Sequence, residues 1–197
     1  MRKALVIIIS ILVLLSLSAS ASAGDLPVND YELIRKLLLQ PDMDFSIFIG
    51  EQLCDALIYL VENDDNERVV HHALAVMWVT GDERCVPYLI ENLDDEDVTM
   101  DCLYGLGYFS TVDSYGALAG YLDDENEFNR RFAVESLGNL DFTVSDKMWE
   151  LRPDALALMN ERLSTEEQEW ILPIIEEGIR KVYEQKREDT VNLPGSE

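Results

Sequence analysis

Residues 82–107 read DERCVPYLIENLDDEDVTMDCLYGLG, and this stretch decides the fold. Apolar residues with helical spacing stand on both sides of the acidic segment Asp94–Asp97. A spacing of three and four residues predicts two amphipathic helices joined by a turn. Helices of this length cannot bury their apolar faces alone, so each needs neighbours to pack against.

The same unit recurs along the chain. Leu93–Asp95 returns as Leu122–Asp124 after 29 residues, and Leu106-Gly107 returns as Leu137-Gly138 after 31 residues. A repeat of about 30 residues predicts stacked helix pairs that share one continuous core. Small residues stand where the helices of a pair must approach closely: Ala73, Cys102 and Ala133.

Glycine, proline and helix-capping residues divide the chain into predicted helices. The expected ranges are 31–40, 45–62, 67–80, 83–93, 97–109, 112–122, 127–140, 153–163 and 165–187. The eighth is expected to begin at Pro153. Ser164 and Thr165 offer capping boxes for the ninth, and Pro173 is where that helix would kink.

The pattern resembles the HEAT repeat family, in the short form found in bilin-lyase-type proteins. Two segments carry the resemblance: residues 82–107, with Asp82, Val86-Pro87, Leu89, Leu93, Asp95, Asp97-Val98, Cys102 and Leu106-Gly107, and residues 112–138, with Leu118, Leu122, Asp124, Asn129-Arg130, Ala133 and Leu137-Gly138. The resemblance implies an all-α fold. The expected architecture is a short α-solenoid of stacked antiparallel helix pairs over residues 24–140, which C-terminal helices in 141–187 continue or cap.

The chain departs from the family at one position. The family commonly has Arg after the Val that opens the first helix of a repeat. Here Val70 and Thr99 occupy that position, and Arg130 keeps it. The Asp–Arg ladder that often ties such repeats together is therefore incomplete.

The first 23 residues have the three parts of a secretory signal peptide. Arg2 and Lys3 precede an apolar run, Ala4–Leu17, and Ser18–Ala23 supplies an A-x-A cleavage site before Gly24. We therefore expect an exported protein, periplasmic or extracellular, with no stable membrane association after cleavage. An uncleaved anchor is the alternative, but the run is shorter than the roughly 20 residues of a spanning helix. Residues 188–197 are predicted to be a flexible tail.

The formal net charge is −24, and loss of Arg2 and Lys3 with residues 1–23 lowers it to −26. Nucleic acid is excluded as a partner because phosphate binding requires a basic surface. Anionic membranes are disfavoured for the same reason. A basic protein, a cationic ligand, divalent cations and a saline medium all remain compatible, and high charge also keeps an exported protein soluble.

The acidic junctions are weak candidates for cation binding. Clustered carboxylates suit Ca²⁺, which takes six to eight oxygen ligands. The alternative is that each Asp caps the following helix, where its charge meets the positive end of the helix dipole. The candidate residues are Asp94, Asp95, Asp97, Asp123 and Asp124.

The chain has three cysteines, so at least one is unpaired. Cys102 occupies a small-residue position of the predicted core and is expected to be a buried, inert thiol. A bond between Cys54 and Cys85 stays open. Neighbouring helices lie about 8–10 Å apart, whereas a disulfide requires Cα atoms within about 7 Å.

Most aromatic residues are expected to pack in the core, and a subset exposed on one face would anchor a partner. The candidates for partner binding are Trp78, Tyr104 and Tyr108. The sequence has no nucleophile elbow, P-loop or dinucleotide fingerprint, so we predict no enzyme activity and no cofactor.

The expected function is a binding or scaffold module for a protein or peptide, with a basic one favoured. Divalent-cation binding by the acidic surface is one alternative. A lyase or chromophore-handling role, by analogy with the bilin lyases, is another, although export argues against it. The oligomeric state stays open.

Overall fold

A computed structural model describes residues 28–40 and 51–187, and all regular structure within them is helical. The all-α class is therefore confirmed. The α-helices are α1 (Val28–Leu38), α2 (Glu51–Asn63), α3 (Glu67–Val76), α4 (Val86–Glu91), α5 (Thr99–Leu106), α6 (Val112–Gly120), α7 (Glu127–Asn139), α8 (Asp146–Thr165) and α9 (Leu172–Glu184). Two 3₁₀ turns, Met77–Thr80 and Glu83–Cys85, lie between α3 and α4.

Some predicted segments lie outside the described residues. These are the signal segment 1–23, residues 45–50 of the second predicted helix and the tail 188–197. The chain forms two compact units that divide between Phe109 and Ser110, a point inside the predicted repeat region 24–140.

The first unit holds α1 to α5, with α3 in contact with α1, α2 and α5. Val69 and Leu74 of α3 and Leu103 of α5 are buried in its core. Ala73 and Cys102, the small residues at the predicted places of close approach, have no exposed surface. Their small side chains suit the contact between α3 and α5.

The second unit holds α6 to α9, in which α9 packs against α7 and α8. The contact of α7 with α9 is closest at two glycines. A Cβ atom added to Gly138 would lie 2.7 Å from the Cα atom of Gly178. Two helix backbones therefore touch here, an approach that side chains at these positions would prevent.

One turn recurs at the acidic junctions before α3, α5 and α7. In each, an Asp side chain accepts a hydrogen bond from the backbone N–H two residues later, an Asx turn. The acceptors and donors are Asp64 and Asn66 (2.9 Å), Asp95 and Asp97 (3.0 Å), and Asp124 and Asn126 (2.8 Å). The spacing of 31 and then 29 residues matches the repeat read from the sequence.

The capping interpretation of these aspartates needs correction. The N-caps of α3 and α7 are Asn66 and Asn126, whose side chains accept from the N–H groups of Arg68 and Phe128. Val98 precedes α5 as its N-cap, and its side chain makes no capping hydrogen bond. The aspartates therefore shape the loop, whereas the asparagines satisfy the helix ends.

The prediction that the eighth helix begins at Pro153 is wrong. Helix α8 begins at Asp146, with Ser145 as a cap that accepts from the Met148 N–H, and Pro153 lies inside the helix. Arg152 lies on the same side of α8 as the buried residues Met148 and Ala155. Its guanidinium lies over Trp149 and donates to carbonyls near the end of α9.

The prediction that the ninth helix opens at Ser164 and Thr165 is also wrong. Both hydroxyls donate to the Glu161 carbonyl and end α8. Helix α9 begins at Leu172, with Pro173 in its first turn, where proline needs no hydrogen-bonding partner. Pro173 therefore starts a helix and does not kink one.

Candidate functional site

Trp78 is placed by the 3₁₀ turn that ends the α3 segment. Gly81 closes this turn with a positive φ of 64°, and its N–H donates to the Trp78 carbonyl. Residues other than glycine rarely adopt this backbone conformation. On the helix surface Trp78 follows His71 at i+7, and both side chains are partly exposed. The turn thus keeps Trp78 on the open face of the α3 segment.

Tyr104 and Tyr108 come from α5 and the turn after it. They lie four residues apart, which places them on one face of a helical segment. The turn is closed by hydrogen bonds from Gly107 N–H to the Tyr104 carbonyl and from Tyr108 N–H to the Gly105 carbonyl. Tyr104 is partly exposed, and Tyr108 is 46% exposed.

The three predicted partner-binding residues form one aromatic cluster. The Trp78 and Tyr108 rings stack with centroids 4.5 Å apart, and Tyr104 meets Trp78 edge-on at 5.9 Å. The two tyrosine rings are 5.2 Å apart, and their hydroxyl oxygens are 2.6 Å apart. Such stacked and edge-to-face contacts fix the ring orientations. A ligand that covers this cluster would therefore meet a preorganised aromatic surface.

Ionisable side chains lie along the same two elements. Asp101 precedes Tyr104 by one turn of α5. Asp101 is exposed as a residue, but desolvation of its carboxyl group raises its pKa above the usual value. The nearby imidazole groups of His72 and His71 oppose this shift and are the smaller effect. The imidazole of His71 also lies 3.4 Å from the Asp95 carboxylate. Two carboxylates, those of Asp101 and Asp95, thus lie near the histidines of α3.

The adjacent residues His71 and His72 have different partners, because successive residues of a helix point in different directions. The His72 Nδ1–H donates to the Leu38 carbonyl at 2.5 Å, whereas His71 approaches Asp95. Within residues 28–40 and 51–187, no group of three or more His, Cys, Asp or Glu side chains is arranged to hold a metal ion.

The weak cation candidates differ in whether their carboxylates already accept a hydrogen bond. Asp95 and Asp124 accept the backbone amides of their Asx turns. Asp123 accepts a hydrogen bond from Arg162 at 2.9 Å. Asp94 and Asp97 are exposed. These positions are therefore spread along two loops, and three of the five carboxylates already have a donor.

A second exposed aromatic pair lies in the other unit. Phe128 and Trp170 are 49% and 42% exposed, and their ring centroids are 5.6 Å apart. The sequence does not indicate this pair, because the two residues are 42 positions apart and neither is one of the residues that define the repeat. It provides a comparison surface with similar exposure.

Trp78, Tyr104, Tyr108 and Asp95 were all candidates from the sequence, whereas Asp101 was not. Asp101 has a visible signal, since it lies three residues before Tyr104 on the same helix. The approach of His71 to Asp95 depends on the contact between α3 and the loop before α5, and no local pattern indicates it.

None of the helices in residues 28–40 and 51–187 has both the length and the apolar character required to cross a membrane. No protein-family model matches the chain, and a comparison with curated proteins finds no match.

Proposed function

We propose that this protein is an exported, non-enzymatic binding module whose Trp78–Tyr104–Tyr108 cluster holds a basic segment of a protein or peptide. The observation that carries the proposal is the convergence of these three rings on one partly exposed surface. Tryptophan and tyrosine dominate the binding energy of many protein interfaces. They serve here as the anchor.

The chemistry of the surface favours a cationic ligand. Arginine and lysine bind over the faces of tryptophan and tyrosine rings. Asp101 lies on α5, Asp95 lies in the loop before α5 at 3.4 Å from His71 of α3, and the whole chain carries a net charge of −24. A basic segment would gain cation–π contact at the rings and attraction from the surrounding carboxylates.

The proposed architecture is a short α-solenoid of HEAT-like helix pairs. Its support is the Asx turn that recurs before α3, α5 and α7. A stack of such pairs would present successive helix faces side by side, as the α3 and α5 segments do at the aromatic cluster. A surface of this kind can bind a partner without any catalytic group.

Calorimetric titration of oligo-arginine, oligo-lysine and oligo-glutamate peptides into the full chain tests the proposal. The two basic peptides should bind and the acidic one should not. Affinity should fall as salt rises, because the carboxylates contribute through screened attraction. Replacing the rings in Trp78→Leu/Tyr108→Leu should weaken basic-peptide binding by about tenfold or more, since hot-spot anchors each contribute over 1 kcal/mol.

The matched control is Phe128→Leu/Trp170→Leu, which removes the exposed aromatic pair of the second unit and no charge. It should bind like the wild type. Equal binding by all three proteins would mean that bulk acidity alone attracts the peptide, and the cluster would then not be the site.

Export has its own test. We propose that residues 1–23 are removed before Gly24 when the gene is expressed in a bacterial host with a secretory pathway. Intact-mass measurement of the recovered protein should give a chain that begins at Gly24. Recovery of a cytoplasmic chain that retains residues 1–23 would contradict this part of the proposal.

A further inference from the structure

Two of the three cysteines meet inside the first unit. Cys54 lies on α2, and Cys85 is the last residue of the 3₁₀ turn before α4. Their Sγ atoms are 3.1 Å apart, and neither residue has exposed surface. A disulfide bond is about 2.05 Å long, so the sulfur atoms need to move by only about 1 Å to bond.

The usual spacing of neighbouring helices does not separate these two cysteines, for a local reason. Cys85 does not lie on a helix that runs beside α2 at the usual spacing. It lies in a tight turn, Glu83–Cys85, which brings the chain against α2. The side chains already point at each other, which is the main geometric requirement for a bridge.

An ion pair between the residues next to the two cysteines also holds the turn against α2. Asp55 follows Cys54, Arg84 precedes Cys85, and an Arg84 nitrogen donates to Asp55 at 2.6 Å. The Arg84 guanidinium also donates two hydrogen bonds to the Asp82 carboxylate. The Asp82 side chain accepts a hydrogen bond from the Arg84 backbone N–H and so caps the 3₁₀ turn. The charged contact outside and the sulfur contact inside therefore fix the turn against α2.

Cys102 provides the contrast within the same unit. It is also fully buried, and burial raises its pKa to about 12. A thiol with so high a pKa is protonated at neutral pH and is a poor nucleophile. Cys102 therefore has the properties of the inert core thiol predicted for it.

We infer that Cys54 and Cys85 form an intramolecular disulfide, which makes this thiol pair an oxidative modification site of the protein. The bond would close a loop of 31 residues and join α2 covalently to the turn before α4. This inference does not depend on what the aromatic surface binds.

The oxidant is a disulfide, either of low molecular weight or in an oxidising protein. The thiolate of one cysteine attacks a sulfur of the oxidant, forms a mixed disulfide and releases one thiolate. The second cysteine then attacks the protein sulfur and releases the other. Two electrons pass from the cysteine pair to the oxidant, and two protons go to the released thiols.

In the folded protein the hydrogen bond with Cys54 lowers the pKa of Cys85, although burial opposes this shift. The same hydrogen bond and burial raise the pKa of Cys54. Because both sulfur atoms are buried, exchange requires a chain that is still folding or a local opening of the turn.

The test is to equilibrate the full chain in glutathione buffers of increasing oxidised fraction, quench with acid and unfold it in an alkylating agent. Intact mass should show one alkylated thiol and the loss of two hydrogens in oxidising buffer, and three alkylated thiols after reduction. A protease that cleaves after Glu separates Cys85 from Cys102 at Glu91, so the linked peptides identify the bond.

Reduction should lower the melting temperature by roughly 5–15 °C, as expected for loss of a bridge across a loop of this size. Cys102→Ser should keep this redox-dependent shift, whereas Cys54→Ser/Cys85→Ser should lose it. If the double variant does not fold, the wild type and Cys102→Ser still decide the question. Three free thiols in every buffer, or a link that includes Cys102, would overturn the inference.

Discussion

Arg130 on α7 and Glu166 at the end of α8 form a bidentate ion pair. The Nε–Oε2 and Nη2–Oε1 distances are both 2.9 Å, and the Glu166 side chain has no exposed surface. Arg130 also donates to the carbonyls of Asp124 and Glu125 at 2.9 and 3.1 Å. The arginine that matches the HEAT pattern thus ties the acidic junction before α7 to the end of α8. Its carboxylate partner is a glutamate 36 residues later.

Arg130→Met should lower the free energy of unfolding by about 3 kcal/mol, because the buried Glu166 charge loses its bidentate partner and keeps only Arg162 at 3.4 Å. Urea denaturation measures this change. The matched control is Arg180→Met, which removes a half-exposed arginine paired with Glu177 and Glu184 on α9. An exposed pair is worth less than about 1 kcal/mol, so the control should change little. Equal losses in the two variants would contradict a special role for Arg130.

Glu166 should also make the protein sensitive to acid. Hydrogen bonds from Arg130, followed by the Gln168 N–H, lower its pKa to about 2, although burial opposes the shift. Because the pKa is below the unfolded value of about 4.3, the pair stabilises the fold above that pH. This stability is lost as the pH falls toward 2.

The comparison protein for the acid effect is Glu166→Gln, in which this carboxylate is absent. The difference in unfolding free energy between wild type and variant should be largest above about pH 5 and shrink by about 3 kcal/mol toward pH 2. The many other carboxylates titrate in both proteins and cancel in the difference. A difference that does not depend on pH would contradict the assignment.

The contact between α7 and α9 predicts a glycine-specific effect. Gly138→Ala places a Cβ atom 2.7 Å from the Gly178 backbone, so the helices must move apart. We expect a loss of about 1–3 kcal/mol, typical of overpacking. Gly116→Ala is the control, since it is helical and has open space around it. It should raise stability by up to about 1 kcal/mol. Equal effects at the two positions would contradict the close approach.

Binding at the aromatic cluster should depend on the ring of Tyr108 more than on its hydroxyl. Tyr108→Phe removes the hydroxyl contact with Tyr104 and keeps the stacked ring, so peptide affinity should change by less than about threefold. Tyr108→Leu removes the ring face and should cost about tenfold. The dissociation constants for oligo-arginine measure both changes. A larger loss in the Phe variant would mean that the hydroxyl carries the recognition.

The repeat signature predicted much of the first unit and α7. Apolar periodicity, glycines and acidic loops are local signals, and they placed α3 and α7 within a few residues. Ala73, Cys102 and Ala133 were expected in the core and are buried. The repeat also placed Trp78, Tyr104 and Tyr108 on or next to the first helices of successive repeats, but it did not indicate which aromatic side chains reach the surface.

The predictions from the sequence were wrong where a polar side chain bonds to a residue far away in the chain. Arg152 interrupts the apolar stripe of α8, and its partners are carbonyls near the end of α9. Glu166 resembles part of a capping box, but it is held by Arg130 and Arg162. The meeting of Cys54 with Cys85 depends on a turn that brings distant segments together. Such long-range pairings leave no periodic trace in the sequence.

The indole N–H signals of the three tryptophans test the central claim most directly. Trp78 lies in the proposed binding cluster, Trp170 in the comparison pair, and Trp149 beneath Arg152. In ¹H–¹⁵N spectra recorded during a titration with oligo-arginine, the Trp78 signal should shift progressively and saturate, while the other two stay in place. A shift of Trp170 or Trp149 with Trp78 unmoved would contradict the account.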